Sequence, residues 1–491
     1  MDSFEKTYWS VYLDFLDDFK ELKYKGHSIS HFVFFLALFT REKAKDNLIK
    51  DMANYNTTNV VKDPSEVQLR FDALKKSYER SSNEKKQGKI LLHDGNGLLR
   101  FPSRTFTKTF NAKNSILMKE KIRRKKKVRN RHGNKATVLD HTRIKAVKRS
   151  KKDRKIKGSL NFQYYDKYTE NNKKEISRLQ HQAREIIGKF KNHPLYTRDD
   201  FEKHLLLQIA KAVNRIGQVQ NLFKEISFSC VIVPYQQLLE VRVLTLLAAE
   251  QGIPTICIQH GIISGKAGFL PKLVDIEAVY GDFEVNYFKS IGVKEEEVQI
   301  IGHPRFDQIS SPPSMRKASF EKKIGINQSK KNILIIVRKD LKDWGKFVKK
   351  LNLQKEANII VKDFPDHDPH VLTKMYPHTF SSKGCHLYDL LHYADVVVSY
   401  HSTVALEAML AGKPVFILTE KFHGYSGYFE KLGELVQENP YPLANLVQKF
   451  FKSEKFKEYT QKKIESFLFT SYPNKFSSEE HLINLVKRLS N

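Results

Sequence analysis

The chain has 491 residues, 40% of them hydrophobic and 29% charged, enough for two or three domains with their own cores, which excludes a wholly disordered polypeptide. Its 85 Lys and Arg exceed its 55 Asp and Glu by 30 charges, a balance that favours anionic partners: phosphorylated small molecules, acidic lipid headgroups or nucleic acid. Cys230, Cys257 and Cys385 are too few and too scattered for a disulfide framework or a four-thiolate zinc site, and read as buried thiols in a reducing compartment.

Residues 1–86 read as a helical N-terminal extension: Tyr8, Val11, Tyr12 and Phe15 recur at helical spacing, as do Phe71, Leu74 and Tyr78. The opening MDSFEKTYWSVYLDFLDDF lacks the order of a signal peptide, and the run Phe32 to Phe39 is too short to span a bilayer. The expectation is a cytoplasmic protein, with peripheral attachment to the inner face of the membrane left open.

Ile90, Leu91 and Leu92 then form an apolar run that stops at Asp94-Gly95-Asn96-Gly97, either the first strand of an α/β domain or one arm of a hairpin. The segment 119–157 carries 19 Lys and Arg against Glu120, Asp140 and Asp153, so more than half of the excess charge is local. Such a run reads as a solvated insertion, with an anionic membrane surface as its functional alternative. Nucleic acid is disfavoured because no stacking aromatics interrupt it; Phe162, Tyr164 and Tyr165 come only afterwards.

A long helix is expected around Lys173 to Lys191. From there the texture becomes a regular alternation of short β-branched strands and amphipathic helices. Strands are expected at Ser229 to Val233, Thr255 to Ile258, Val298 to Ile301, Ile333 to Val337, Ile359 to Val361, Val396 to Ser399 and Val415 to Leu418. Helices are expected at Leu238 to Gln251, Leu387 to Tyr393 and Ser402 to Ala411. Near-continuous apolar strands separated by helices mean parallel sheets covered on both faces. The turn-rich stretch His303 to Lys323 reads as the linker between two facing, doubly wound domains. The expected division is 87–303, an N-terminal Rossmann-like acceptor domain bearing the basic insertion, and 304–491, a C-terminal Rossmann-like nucleotide-donor domain.

Ligands of such sheets bind beyond the carboxyl ends of the strands. Gln259-His260-Gly261 follows one strand: His260 is a candidate base or a hydrogen-bonded structural residue, and Gly261 admits a close approach to the backbone. Gly302-His303-Pro304-Arg305-Phe306-Asp307 follows another, where Arg305 is suited to phosphate and Asp307 either orients it or caps a helix. Lys362 follows a third, as a phosphate partner or a surface lysine; Asp363, Asp366, His367 and Asp368 nearby lack a metal-ligand spacing. The run ADVVVSYHSTVALEAMLAGKPVFIL places Ser402 and Thr403 at a helix start, as a diphosphate cradle or a plain cap, with Glu407 one turn on, as a ribose acceptor or a solvated residue.

The ordered set of QHG, GVKEEEVQIIGHPRFD, the strand ending in VK and LYDLLHYADVVVSYHSTVALEAMLAGKPV resembles the GT-B superfamily over about Phe228 to Leu435. The resemblance is to the branch shared by teichoic-acid CDP-glycerol glycerophosphotransferases, capsule and surface-polysaccharide glycosyltransferases and UDP-N-acetylglucosamine 2-epimerases. It implies His260 as base, Arg305, Lys362, Ser402 and Thr403 as donor-phosphate ligands, Glu407 with Ser399 and His401 at the ribose or nucleotide, and Gln259, Gly261 and Gly302 as backbone of the cleft. It implies a nucleotide-sugar or CDP-polyol donor and a glycan, polymer or lipid-linked acceptor; the residues themselves favour a site with neither cofactor nor metal, because Lys, Arg and a helix end can neutralise a diphosphate. The chain departs from the family where Lys362-Asp363-Phe364-Pro365 replaces Lys-Pro-His-Pro, and where Tyr400-His401 precede Ser402; His401 or His367 would have to compensate. The alternatives carried forward are a non-hydrolysing UDP-sugar 2-epimerase and a basic membrane- or nucleic-acid-binding protein on an inactive GT-B scaffold.

Overall fold

The computed structural model describes all residues except 39–49, 51, 53–54, 81–86, 121–160, 266–267, 338–341, 354, 364–367, 420–423 and 491. Most of the basic segment, together with Phe364, Asp366 and His367, therefore lies outside the described residues.

The apolar runs of the sequence form two sheets. The first holds β1 (Lys89–His93), β2 (Ser115–Lys119), β3 (Phe162–Tyr164), β4 (Phe228–Val233), β5 (Thr255–Ile258), β6 (Ile276–Val279) and β7 (Val298–Ile300), in the order β3-β2-β1-β4-β5-β6-β7. The second holds β8 (Lys331–Ile336), β9 (Ala357–Val361), β10 (Thr379–Ser381), β11 (Val396–Ser399), β12 (Val415–Leu418) and β13 (Val436–Gln437), ordered β10-β9-β8-β11-β12-β13 with every pair parallel. Both orders begin 3-2-1-4-5-6, the doubly wound arrangement in which chain direction across the sheet reverses beside the first strand. The reversals fall between β1 and β4 and between β8 and β11. β1 has a parallel neighbour on each side, so KILLH is the first strand of an α/β sheet and not a hairpin arm.

Every residue of β4, β5, β9, β11 and β12 is buried, which explains why these strands read as unbroken apolar runs instead of alternating ones. Local chemistry starts the helices. Asp63 accepts from Ser65 N ahead of Pro64, and Asn439 accepts from Tyr441 N ahead of Pro440, so a side chain takes an orphan amide while proline supplies a preset φ.

The chain divides into two compact units: 1–258 with 270–276 and 486–491, and 259–269 with 277–485. In the first unit the expected helical extension is present as Ser3–Asp18 and Pro64–Tyr78, and it packs as core. Tyr12, Phe15, Phe19, Phe32, Phe35 and Phe71 are fully buried, and the Tyr12 and Phe35 rings stack at 4.7 Å. Arg242, on the helix Leu239–Glu250, donates to Val33 O at 3.1 Å and to Tyr12 Oη, with its guanidinium over the Tyr12 and Phe71 rings. The aromatic stripe is thus spent on packing, and a buried cation ties it to the helix that follows β4.

In the second unit the core packs around β8, β9, β11 and β12 and also takes in Ile262, Tyr280, Phe306 and Tyr472. Among the described residues no helix is long and apolar enough to cross a membrane.

Candidate functional site

The residues singled out from sequence after β5, β7, β9 and β11 all belong to the second unit. His260 is half-buried and directly follows Gln259, whose side chain is nearly fully enclosed. Gln259 Nε2 donates to Gly261 O at 2.9 Å and to Glu284 Oε1 at 2.8 Å, while its Oε1 accepts from Tyr280 N at 3.1 Å. Gly261 lies against the helix Thr403–Leu410: a Cβ there would come within 3.0 Å of Thr403 Oγ1. Ile262 N donates to that same oxygen at 3.1 Å. The loop continues onto Ser426, whose N–H donates to Ser264 O at 3.2 Å. His260 and the Ser402 helix start, separated by more than 140 residues of sequence, are therefore brought together.

Gly302 has φ +76°, and a Cβ at this position would lie 2.4 Å from Tyr472 Oη and 2.5 Å from Ser478 Oγ. The missing side chain lets His303 N donate to Tyr472 Oη at 2.7 Å. Gly302 is a packing requirement of the turn. Asp307 resolves the choice left by the sequence: its carboxylate accepts from Ser478 N at 3.2 Å and Glu479 N at 2.9 Å, capping the helix Ser478–Ser490.

The same turn aims Arg305 at Glu407. Both side chains are buried, with Arg305 Nη2 3.5 Å from Glu407 Oε1 and the guanidinium over the Phe306 ring at 4.5 Å. Among the described residues, Arg305 Nε and Nη2 make no hydrogen bond, so this buried cation keeps donor capacity for an anion. Lys362 completes the group: burial pulls its pKa down from the ordinary lysine value, and Glu407 and Asp363 partly offset that. Tyr388 donates to Arg305 O at 3.1 Å, and its pKa is raised first by burial and then by Glu407. Glu407 is therefore no solvated helix residue; it is buried beside the buried Arg305, with the half-buried Lys362 and Tyr388 around the pair.

Ser402 is the helix N-cap, accepting from Val404 N at 3.2 Å. A cap and a ligand contact are compatible here, because one hydroxyl oxygen satisfies one amide and leaves the dipole and the other first-turn donors in place. Ser399 is fully buried and donates to Tyr400 O at 2.7 Å, so its hydroxyl shapes the turn between β11 and the helix. His401 is buried, edge-on to Tyr400 and Tyr425. Asp363 accepts from His370 N at 2.7 Å and from Ser381 Oγ, a structural role. Among the described residues no three His, Cys, Asp or Glu side chains are placed to hold a metal ion; Asp366 and His367 lie outside them.

No family model matches the chain, and no curated protein is similar to it at the level of sequence. Solved structures do match. UDP-GlcNAc 2-epimerase from Neisseria meningitidis, bound to UDP-GlcNAc, aligns over 82% of this chain and 100% of its own, with 14% identity and a TM-score of 0.51. The chain has the GT-B fold. The S. aureus MnaA–UDP structure aligns over 82% of this chain and 96% of its own at 12% identity and a TM-score of 0.46. The wall teichoic acid polymerase TagF aligns over 55% and 84% at 14% identity and a TM-score of 0.36. In this GT-B chain the residues that sequence reasoning overlooked are Tyr388, Tyr472 and Glu284. Nothing local marks the tyrosines, which act across 83 and 169 residues of sequence. Glu284 was within reach: Gly281-Asp282-Phe283-Glu284 is a helix-start pattern with its acid at the third helical position.

Proposed function

We propose that this chain is a GT-B-type transferase that moves a glycosyl or polyol-phosphate group from a nucleotide-activated donor to an acceptor in surface-polysaccharide or teichoic-acid-like polymer synthesis. One observation carries the reading. Beside the switch point of the second sheet, a capped helix start, a buried carboxylate, a buried arginine and a half-buried lysine converge, and the loop bearing His260 is hydrogen-bonded to the same helix. Glu407 accepts from the ribose hydroxyls. Arg305, Lys362 and the amides at Ser402–Thr403 hold the donor phosphates, with His401 and Ser399 shaping the nucleotide edge. As the acceptor oxygen attacks, His260 takes its proton; the bond to the nucleotide breaks and the leaving phosphate is stabilised by the cations and the helix dipole. Those groups neutralise a diphosphate without a metal. The acceptor is a glycan, polymer or lipid-linked molecule, and segment 119–157 would keep the enzyme on the anionic inner face of the membrane.

The test is nucleotide release by purified protein from UDP-, CDP- and GDP-linked donors. Turnover with one donor, abolished in His260→Ala while nucleotide affinity stays within a few-fold, supports the reading; wild-type turnover in His260→Ala contradicts the base assignment. A second reading, a non-hydrolysing UDP-sugar 2-epimerase, is favoured by the full-length alignment of an epimerase on this chain. It predicts interconversion of UDP-N-acetylglucosamine with its 2-epimer and no dependence on acceptor.

A further inference from the structure

We propose that Gln259 and Glu284 are positioning residues for His260, clamping the backbone on either side of it so that the imidazole is aimed before a ligand binds. The inference rests on the reading of His260 as the base.

The carboxamide of Gln259 reaches across His260. It holds the carbonyl of Gly261 on the far side, at 2.9 Å, while its own oxygen accepts from Tyr280 N at 3.1 Å. Its second amide hydrogen goes to Glu284 Oε1 at 2.8 Å, so both donors and the acceptor are committed and the amide has one orientation. Glu284 is itself anchored: its Oε2 accepts from Gly281 N at 3.1 Å, closing the start of the helix Asp282–Ser290. That helix start has no room to slide, because a Cβ on Gly281 would lie 2.4 Å from Thr470 O. Beyond His260, Ile262 N is fixed to Thr403 Oγ1. The backbone of residues 259–262 is thus tied at both ends, to the Asp282 helix and to the Thr403 helix.

The chemistry of the clamp separates it from ordinary packing. Glu284 is fully buried, and burial pushes its carboxyl up to about 8; an acid in this setting costs stability that an apolar residue of similar size would not. What the acid supplies is direction, since two acceptor oxygens on one rigid group align Gly281 N with Gln259 Nε2. A misplacement of about 1 Å in a reacting group costs on the order of 100-fold in rate, so loosening this peptide acts on turnover and not on donor binding.

The experiment uses the full chain with Gln259→Leu, Glu284→Ala and His260→Ala, singly and in pairs. UDP-N-acetylglucosamine and CDP-glycerol serve as probes for turnover, UDP and CDP for binding, and hydrogen exchange of the 255–265 segment for order. The expected result is a drop in kcat of roughly 10- to 100-fold for Gln259→Leu and Glu284→Ala, with nucleotide affinity within about twofold. Exchange should be faster in the loop alone, and no further loss should appear when either is added to His260→Ala. Unchanged loop exchange overturns the proposal, as do wild-type kcat in folded variants or a loss that multiplies with His260→Ala. Wild-type turnover in His260→Ala overturns the base reading instead, which keeps the two failures distinct. If Gln259→Leu fails to fold, Glu284→Gln, which keeps the volume but leaves one acceptor oxygen in place of two, carries the same test with a smaller loss expected.

Discussion

Arg305→Met is the perturbation whose consequence follows most directly from the geometry. The substitution keeps much of the side-chain volume and removes the cation from a pair whose members are 7% and 6% exposed, with 3.5 Å between Nη2 and Oε1. At that separation the attraction is about 5 kcal/mol for an effective dielectric of about 20, in line with the roughly 3–5 kcal/mol lost when one member of a buried pair is deleted. For a unit of this size each kcal/mol moves the midpoint by about 2–4 °C, so Arg305→Met should unfold about 10 °C below the parent. Adding Glu407→Leu should recover most of the loss, because the cost lies in stranding a buried charge and not in lacking the pair. Thermal unfolding of the four proteins, followed by circular dichroism, reads both effects. A fall of less than about 2 °C in Arg305→Met, or a double variant as unstable as the sum of the singles, would show that the two groups are solvated and uncoupled.

Gly302→Ala should destabilise the second unit by about 2–4 kcal/mol, because its Cβ would collide with Tyr472 Oη, break the bond to His303 N and force a left-handed residue; a midpoint within about 2 °C of the parent would contradict this. Glu284 is protonated in the folded protein up to about pH 8 and ionises near its ordinary value when unfolded. The folded state therefore holds the extra proton between those limits, and stability contributed by this group should fall as pH rises through that window. Glu284→Gln should flatten that slope in denaturant titrations from pH 5 to 8, and an unchanged slope refutes the assignment. His93 behaves in the opposite sense. Burial lowers its pKa to about 3, so the unfolded chain takes up the proton first and stability is lost as pH falls below the ordinary histidine value. His93→Gln should remove about one proton from the uptake on unfolding between pH 4 and 6.

The fold was legible where burial on both faces leaves an apolar run with a punctuated end. Thr255–Ile258, Leu387–Tyr393, Val396–Ser399 and Val415–Leu418 match their sequence boundaries residue for residue. Among the elements that escaped were the helix Asp199–Glu225, the short strands β3, β10 and β13, and β2 and β6. That helix is 27 residues long with a buried face that includes Gln208, Arg215 and Gln218, so its polar core residues blur the period. In β6, Glu277 is buried within the strand, which breaks the apolar run. At the candidate site, Lys362 was legible because it directly follows β9, Arg305 because it lies in the turn after β7, and Glu407 because it stands one turn into the helix after β11. Their mutual pairing was not, because sequence spacing says nothing of which strand ends lie side by side.

The central claim is that a nucleotide is held at the start of the helix Thr403–Leu410 with its ribose on Glu407. Isothermal titration of the parent and of Glu407→Ala with UDP, CDP and GDP tests it. The account predicts saturable one-to-one binding of at least one nucleotide to the parent and an affinity at least about tenfold weaker in the variant, the share expected of a charge-assisted hydrogen bond. Binding of none of the three, or equal affinity in both proteins, would contradict it.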